Sequence, residues 1–299
     1  MNNNWKIKHG TTRRVLACMM LSWCALTASA QVTYTDKGQA VPPETVAMQA
    51  SAFKNHNNVE ITWLTNAGFL INDHGDCILI DPMLQGYDLP LLRKAPIAPA
   101  DIPALKGIMI THTDNDHMSL PTLKDLPHKD TEFYSTALVE SALRAEGFHA
   151  NARSNFQPFK VGNFEIQLVP AFHAYQYDFP GIGKAFGKDD CCGFLIKTST
   201  GKVIWHMGDT RLLPDHMDLP WTPDVILMDL SDHYWHLGKH GAQVISNHYK
   251  DAQLFVCHWG TVDAPKADTF NGDPNELAGK ITAPERIVVQ APGTPYILK

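Results

Sequence analysis

The sequence has few cysteines for a protein of its length. Six occur among 299 residues, and the four that lie beyond residue 30 are Cys77, Cys191, Cys192 and Cys257. Proteins that depend on disulfide frameworks carry cysteine at a much higher density, so that class is excluded, and no pairing is predicted. Hydrophobic residues make up 44% of the chain and charged residues 19%, which is typical of a folded globular protein rather than a disordered one.

Positive charge is scarce as well. The formal net charge is −6, and it becomes −10 when residues 1–30, which hold four basic residues and no acidic one, are set aside. A nucleic-acid surface needs clustered basic side chains that displace counterions, so nucleic acid is not an expected partner. A small-molecule substrate is expected instead, and the sequence leaves the oligomeric state open.

Only one long apolar run is present, and it lies near the N-terminus at residues 15–26. Basic residues precede this run, and the small residues Ala28-Ser29-Ala30 follow it, directly before Gln31. This order is typical of a signal peptide over residues 1–30, and the run is shorter than the ~20 residues that span a bilayer. We expect export to the periplasm or the medium by the Sec route, with the twin-arginine route or an uncleaved anchor as alternatives. No second such run follows, so no stable membrane insertion is expected after cleavage.

The remaining chain shows no repeat and no linker rich in glycine or serine. Residues 31–57 are polar and contain Pro42-Pro43, which predicts an N-terminal leader that packs onto the edge of a domain or stays loose. From residue 58 to residue 299, strand-like runs come first and then alternate with helical patterns at 136–147 and 241–250. This order is typical of a single α/β domain.

Four of the apolar strand-like runs end in residues that can bind metals. The runs 107–111, 166–170, 203–205 and 254–257 are each followed within a few residues by histidine or aspartate, and together they supply His112, Asp114, Asp116, His117, His173, His206, Asp209 and His258. Strand ends on one side of a sheet converge in space, which is where α/β folds place their sites. The sequence therefore predicts one polar site built from four strand ends.

The spacing within residues 112–117 fits metal coordination. His112 and Asp114 alternate along an extended segment, so both side chains can reach one cation. Asp116 and His117 follow at a turn and can reach a second cation close to the first. Imidazole and carboxylate ligands without a thiolate suit zinc, manganese or iron.

The other strand ends complete this arrangement. Asp209 lies in a Gly-Asp-Thr turn and is the candidate for a carboxylate set between the two cations. His173 and His258 would add one imidazole to each of them. The sequence thus offers seven candidate ligands for two metal ions.

Residues 112–117 resemble the H-x-H-x-D-H signature of the metallo-β-lactamase superfamily. Pro170-Ala-Phe-His173, Gly208-Asp-Thr210 and His258-Trp-Gly-Thr261 follow in that family's order. The last of these is similar to the branch that contains ascorbate-6-phosphate lactonase and the phospholipase D that hydrolyses N-acylphosphatidylethanolamines. The same similarity extends to Thr62-Trp-Leu64, residues 67–71 and Leu79-Ile-Asp-Pro82. The resemblance covers nearly all of residues 58–265. It implies that residues 58–299 form an α/β hydrolase domain, a four-layer αβ/βα sandwich with metals at one edge of its two sheets.

The resemblance also implies how two divalent metal ions would be held. The ligands would be His112, Asp114 and His173 for metal 1, Asp116, His117 and His258 for metal 2, and Asp209 as the bridge. Asp114 departs from the family pattern because it stands where the family has its second histidine. The extra negative charge is expected to weaken the Lewis acidity at metal 1. Zinc is the expected metal, and the extra carboxylate makes manganese or iron the alternatives.

The reaction implied by the resemblance is hydrolysis. A hydroxide between the two metals would attack an ester, a lactone or a phosphodiester, with Asp116 and Asp209 as the catalytic residues that orient it. Two other interpretations stay open, namely a metal-binding protein of the same fold with a degraded site and a β-lactam hydrolase.

Several residues near these strand ends are candidates for supporting roles. Asp81 ends a strand before Pro82 and is expected to brace the metal-site loops through hydrogen bonds. His206, His233 and His240 are candidates for contact with the ligands or the substrate, with a solvated loop as the alternative for the last two. Residues 175–188, rich in aromatic residues and glycine, are expected to form a mobile lid over the metals or a plain surface loop.

Overall fold

The computed structural model of the protein describes residues 31–127, 129–173 and 186–299. The predicted signal peptide and most of the predicted lid lie outside these ranges. The described strands, numbered in chain order, are β1 (Thr33–Tyr34), β2 (Ala40–Val41), β3 (Val59–Trp63), β4 (Phe69–Asp73), β5 (Asp76–Ile80), β6 (Gly107–Met109), β7 (Phe133–Ser135), β8 (Ala150–Ala152), β9 (Phe159–Val161), β10 (Phe164–Ala171), β11 (Cys191–Lys197), β12 (Val203–His206), β13 (Val225–Asp229), β14 (Gln253–Cys257), β15 (Ile287–Val288) and β16 (Pro295–Leu298). The described α-helices are α1 (Leu120–Asp125), α2 (Ala137–Ala145), α3 (Gly238–His248) and α4 (Pro274–Ala278).

Fourteen of these strands form two sheets of seven strands each. The first sheet has the order β16-β3-β4-β5-β6-β7-β8, the second has the order β15-β14-β13-β12-β11-β10-β9, and β1 pairs with β2 alone. Strands β5 to β8 pair in parallel in the first sheet, as do β12 to β15 in the second. Strand β10 also runs in the direction of β12, because β11 is antiparallel to both. The carboxyl ends of β5 and β6 therefore lie together in the first sheet, and those of β10, β12, β13 and β14 lie together in the second. Contacts between the sheets, such as the hydrogen bond from the Cys192 amide to the Thr111 carbonyl oxygen at 3.0 Å, bring them to one edge.

The two faces of the first sheet belong to different hydrophobic cores. Ile78 and Ile80 pack into the core shared with the second sheet, whereas Cys77 and Leu79 pack into the core that contains residues of α1 and α2. This separation follows from the period of two along a β-strand. On the far side of the second sheet, Ser246 of α3 lies with its Oγ 3.9 Å from the sulfur of Met228. The order helix, sheet, sheet, helix confirms the predicted α/β fold class and four-layer sandwich.

Aromatic contacts connect the two sheets close to the edge where the strands end. The Phe69 ring meets the Phe255 ring edge to face, with centroids 6.0 Å apart, and Trp63 stacks on Trp259 at 6.1 Å. Such pairs contribute about 0.5–1.5 kcal/mol each beyond the burial of their area. They hold the loop after β14 against the first sheet.

Both predicted helices are present with different bounds. The helix predicted at 136–147 is α2, where the Thr136 side chain accepts a hydrogen bond from the Val139 amide and Gly147 follows the end at φ +88°. The helix predicted at 241–250 is α3, which begins three residues earlier and ends at His248. Its first turn is polar and exposed, so it lacks the apolar periodicity on which the predicted start depended.

The segment 31–57 packs against the rest of the chain. Val32, Ala40, Val41, Met48 and Phe53 are buried, and the Gln39 side-chain amide donates to the Val262 carbonyl oxygen at 2.7 Å. Cys77, Cys191, Cys192 and Cys257 are buried free thiols. Among the described residues, no helix is both long enough and apolar enough to cross a membrane.

Candidate metal centre

A short loop after β6 carries the predicted signature residues. The Asp114 carbonyl oxygen accepts hydrogen bonds from the amides of His117 and Met118 at 3.0 and 2.7 Å, which closes a tight turn. Ser119 then caps α1 by accepting a hydrogen bond from the Thr122 amide. The turn and the cap together direct the side chains of residues 112–117 toward the edge where the strands end.

The first half of the site contains His112, Asp114 and His173. One Asp114 carboxylate oxygen lies 3.5 Å from Nε2 of His112 and 3.2 Å from Nε2 of His173. The two imidazole rings meet edge to face with centroids 5.1 Å apart. Three ligand atoms this close together form a group that can hold one metal ion.

The second half contains Asp116, His117 and His258. One Asp116 carboxylate oxygen lies 3.7 Å from Nε2 of His117 and 3.3 Å from Nε2 of His258. Asn66, which sequence reasoning did not identify, donates from Nδ2 to that same oxygen at 3.0 Å. This trio can hold a second ion.

Asp209 lies between the two halves. Its Oδ2 is 3.3 Å from Nε2 of His117, 3.3 Å from Nε2 of His258 and 4.0 Å from Nε2 of His112. The preceding Gly208 has φ +65°, and a Cβ added there would lie 2.6 Å from the Cys192 carbonyl oxygen. The turn that presents Asp209 therefore requires glycine at this position. We call these seven residues, His112, Asp114, Asp116, His117, His173, Asp209 and His258, the His/Asp cluster.

The four imidazoles of the His/Asp cluster share one arrangement, in which Nδ1 contacts a group behind the ring. The partners are Thr111 Oγ1 at 3.0 Å for His112, Asp81 Oδ2 at 2.8 Å for His117, the Trp235 carbonyl oxygen at 3.3 Å for His173 and the Thr269 carbonyl oxygen at 3.1 Å for His258. Such contacts fix the orientation of metal-binding histidines. Asp81 occupies the bracing position that the sequence predicts.

The opposite ring nitrogens fit a metal. Nε2 of His112, His117 and His258 is buried and has no hydrogen-bond partner among the described residues. A buried nitrogen without a partner is costly. A divalent cation between these imidazoles and carboxylates would satisfy all three nitrogens.

The buried charged groups of the His/Asp cluster shift one another's pKa values. Burial alone would raise the pKa of Asp209, but the charges of His117 and His258 hold that pKa well below its usual range. Conversely, burial would lower the pKa values of His117 and His258, but the carboxylates, led by Asp209, raise both well above the ordinary histidine value. Metal ions would therefore compete with protons for these imidazoles.

Asp229 and His236 extend the site. Asp229 is the last residue of β13, and its Oδ2 lies 2.7 Å from Nδ1 of His236. His236 is buried and can join His173 and Asp209 in a further group able to hold a metal. The acidic end of β13 repeats the pattern of the other strand ends, and that signal could have identified Asp229 from the sequence.

The remaining histidine candidates lie in different places. His206 is buried beneath the His/Asp cluster, where it donates from Nε2 to the Ala67 carbonyl oxygen at 2.8 Å and accepts the Gly208 amide at Nδ1. Burial lowers the pKa of His206, in keeping with a neutral ring that supports the Gly208 turn. His233 is half-buried with its ring 4.0 Å from the Trp235 ring, and His240 is exposed on α3. The structure brings neither of these two into the metal-binding groups, and His236 of the same segment lies there instead.

A cavity of about 480 Å³ opens over the His/Asp cluster. Its floor includes side chains from both halves of the cluster. Its walls come from the loop after β5, the loop after β13 and the segment before α4. The described residues that line it are Tyr87, Asp88, Thr113, Asp114, Asn115, Asp116, His173, Asp209, Trp235, His236, Thr269 and Phe270.

Comparison with known proteins places the chain in a family. Residues 76–259 match the model of the Beta-lactamase superfamily domain. A UPF0173 metal-dependent hydrolase from Myxococcus xanthus is 28% identical over 272 residues, which cover 87% of this chain and 91% of that protein. A UPF0173 metal-dependent hydrolase from Pyrococcus furiosus is 28% identical over 242 residues, covering 79% of this chain and 97% of that protein.

Solved structures share the fold at lower identity. Igni18, a metallo hydrolase from Ignicoccus hospitalis, superposes with a TM-score of 0.64 at 21% identity, covering 81% of this chain and 99% of that one. The isothiocyanate hydrolase from Delia radicum gut bacteria superposes with a TM-score of 0.64 at 20% identity, covering 80% of this chain and 99% of that one. The family match and the two-sheet fold confirm the resemblance predicted from the motifs, and the chain belongs to the metallo-β-lactamase superfamily.

Proposed function

We propose that the protein is a metal-dependent hydrolase with a binuclear metal centre. The observation that carries this proposal is the division of the His/Asp cluster into two trios, each with two imidazoles and one carboxylate, with Asp209 within reach of both. The relatives from Myxococcus xanthus and Pyrococcus furiosus are named metal-dependent hydrolases, which agrees with the enzyme class predicted from the sequence.

The ligand assignment follows the two trios. His112, Asp114 and His173 would hold metal 1, Asp116, His117 and His258 would hold metal 2, and Asp209 would bridge them. Zinc is the proposed metal, with manganese and iron as alternatives that the three carboxylates make competitive. When bound, a pair of divalent ions lowers the pKa of water and polarises the oxygen of a substrate carbonyl or phosphoryl group.

Two carboxylate side chains would act as the catalytic groups of the protein. Asp116 and Asp209 both face the cavity and would orient the nucleophile toward an ester, a lactone or a phosphodiester. The Asn66 side-chain amide donates a hydrogen bond to Asp116, and the Gly208 turn holds Asp209. Their fixed positions support a role in orientation because little reorganisation is needed during the reaction.

A hydrolysis panel tests the proposal. Protein stripped of metal with a chelator is reloaded with zinc or manganese and assayed with a 4-nitrophenyl ester, an aliphatic lactone and bis(4-nitrophenyl) phosphate. We expect turnover of at least one class that depends on the added metal. Asp209→Ala should lose at least 100-fold of that turnover, whereas Asp130→Ala, which removes an exposed carboxylate from a distant loop, should keep it. A metal-loaded protein that hydrolyses none of the three classes would contradict the proposal.

We also propose that residues 1–30 direct export and are removed before Gln31. The proposal depends on the sequence of that segment, in which basic residues, an apolar run and small residues follow in order. Cell fractionation with N-terminal sequencing of the mature protein tests it. Protein in the cytoplasmic fraction that still carries residues 1–30 would contradict it.

A further inference from the structure

Aromatic side chains line the cavity on both sides of the His/Asp cluster. The Phe270 ring stacks on the His258 ring with centroids 5.4 Å apart and meets the Tyr87 ring edge to face at 6.2 Å. Trp235 stands on the other side, where its carbonyl oxygen contacts Nδ1 of His173. We call the rings of Tyr87, Trp235 and Phe270 the aromatic mouth. The Phe270 ring contacts an imidazole of one trio, and the Trp235 backbone contacts an imidazole of the other.

A carboxylate lies beside the aromatic mouth. Asp88 is exposed, lines the cavity and accepts a hydrogen bond from Nδ2 of Asn115 at 2.8 Å. Asn115 lies between the ligand residues Asp114 and Asp116, so the hydrogen bond holds the Asp88 carboxylate near the metal-binding loop. Asp88 therefore presents a negative charge at the entrance, next to the Tyr87 ring.

The charges around the cavity do not favour an anionic substrate. Among the described residues that line it, Asp88, Asp114, Asp116 and Asp209 carry negative charge, and none is a lysine or an arginine. Four carboxylates balance the charge of two divalent cations. The family pattern would have a neutral imidazole in place of Asp114, so the site of this chain carries one additional negative charge that repels an anion.

We propose that the cavity selects substrates that carry an ammonium group near the scissile bond and discriminates against anionic ones. An aromatic face attracts a cation through its quadrupole, and the charge of a neighbouring carboxylate adds to that attraction. The inference rests on the proposed hydrolase function because it names the substrate class of the same site. It assigns Asp88, Tyr87 and Phe270 to substrate binding.

Matched aryl esters test the substrate preference. Three 4-nitrophenyl esters that differ only in a terminal trimethylammonium, tert-butyl or sulfonate group are compared by kcat/KM on the metal-loaded enzyme. The cationic ester should exceed the anionic one by ~10-fold or more. Asp88→Asn and Tyr87→Leu should each reduce this ratio at least threefold, whereas Asp130→Asn, which removes the same charge elsewhere, should leave it unchanged. Equal rates, or a preference for the sulfonate, would overturn the inference.

A binding measurement separates this inference from the proposed hydrolysis. Phenyltrimethylammonium and benzenesulfonate are titrated into the metal-loaded protein, and tryptophan fluorescence reports occupancy. Tighter binding of the cation than of the sulfonate, weakened by Asp88→Asn, supports the inference even when no ester is hydrolysed. The absence of hydrolysis would then count against the proposed function and not against the inference. Tighter binding of benzenesulfonate overturns the inference whatever the turnover.

Discussion

The Asp229 carboxylate and the His236 imidazole form a buried pair at the centre of the site, with Oδ2 and Nδ1 2.7 Å apart. The His236 ring lies between the rings of His173 and His258, with centroids 5.1 and 4.9 Å away, and its Nδ1 is 3.5 Å from the bridging candidate Asp209. Asp229 also accepts the Ser231 amide at 2.8 Å. The pair therefore fixes an imidazole that touches both halves of the His/Asp cluster.

Replacing Asp229 by asparagine should disturb the position of the His236 imidazole without creating a cavity. We expect kcat/KM to fall about 10–100-fold, because outer partners of metal-binding groups have effects of that size. Metal content should be measured on the same samples, since a positioning role lowers both quantities together. Asp232→Asn, which breaks only a partly exposed ion pair with Lys239, is the matched control and should retain both. Unchanged activity in Asp229→Asn would show that the Asp229–His236 pair does not support the reaction.

Asp81→Asn isolates the support of His117. Asp81 accepts hydrogen bonds from the Thr111 amide and hydroxyl at 2.8 and 2.6 Å and contacts Nδ1 of His117 at 2.8 Å. Asparagine tolerates the Asp81 backbone conformation at φ +43°, so the substitution removes the charge and not the turn. We expect metal affinity to fall about 10–100-fold and the free energy of unfolding by about 1–3 kcal/mol.

Competition with a chromophoric chelator measures this affinity, and thermal unfolding with and without metal measures stability. Asp125→Asn, at an exposed carboxylate that pairs with Gln85, provides the control. An Asp81→Asn protein that binds metal as tightly as the wild type would show that this contact does not orient His117.

Asp114→His restores the imidazole of the family pattern. Asp114 lies between His112 and His173, and its replacement exchanges a hard, charged ligand for a neutral nitrogen. We expect the ratio of zinc affinity to manganese affinity to rise at least tenfold, because imidazole suits zinc better than carboxylate does. Metal analysis after dialysis against equimolar zinc and manganese measures the ratio. A ratio that falls or stays constant would contradict the role given to Asp114.

Metal affinity should depend steeply on pH. The carboxylates of the cluster raise the pKa values of His117, His173 and His258 above the ordinary histidine value, against the opposing effect of burial. These imidazoles hold protons below their raised pKa values, and metal must displace those protons, so affinity falls as the pH falls. The decline should begin above pH 6.5 and exceed tenfold per pH unit, because more than one proton is released.

Isothermal titration with zinc in buffers of different ionisation enthalpy counts the protons released. His240→Gln, which removes an exposed histidine from α3, should leave the slope unchanged. An affinity that does not vary between pH 6 and pH 8 would contradict the proton competition.

The sequence was sufficient to predict the fold and to locate the His/Asp cluster for a physical reason. Each residue of the cluster follows an apolar strand within a few residues, so the local pattern indicates which side chains lie at the edge of the sheet. The contiguous run 112–117 supplies four of these residues and sets their spacing. These features are local in the chain, and local patterns can be read without the fold.

Features that depend on distant contacts were not predicted. Asn66 supports Asp116 across fifty residues of chain, and His236 lies in a segment without strand or helix periodicity whose other histidines look equally suitable. Strand β16 pairs with β3 from the far end of the chain and begins with a proline, which weakens its strand pattern. Only the three-dimensional arrangement selects among such candidates.

The number of metal ions that the protein binds distinguishes a binuclear centre from a mononuclear one. Native mass spectrometry of the zinc-reconstituted protein should show two ions per chain, one ion after His258→Ala and a loss of at least one ion after Asp209→Ala. Turnover should follow the doubly loaded species. A wild-type protein that saturates at one ion, or an Asp209→Ala protein that keeps two ions and full turnover, would contradict the binuclear centre.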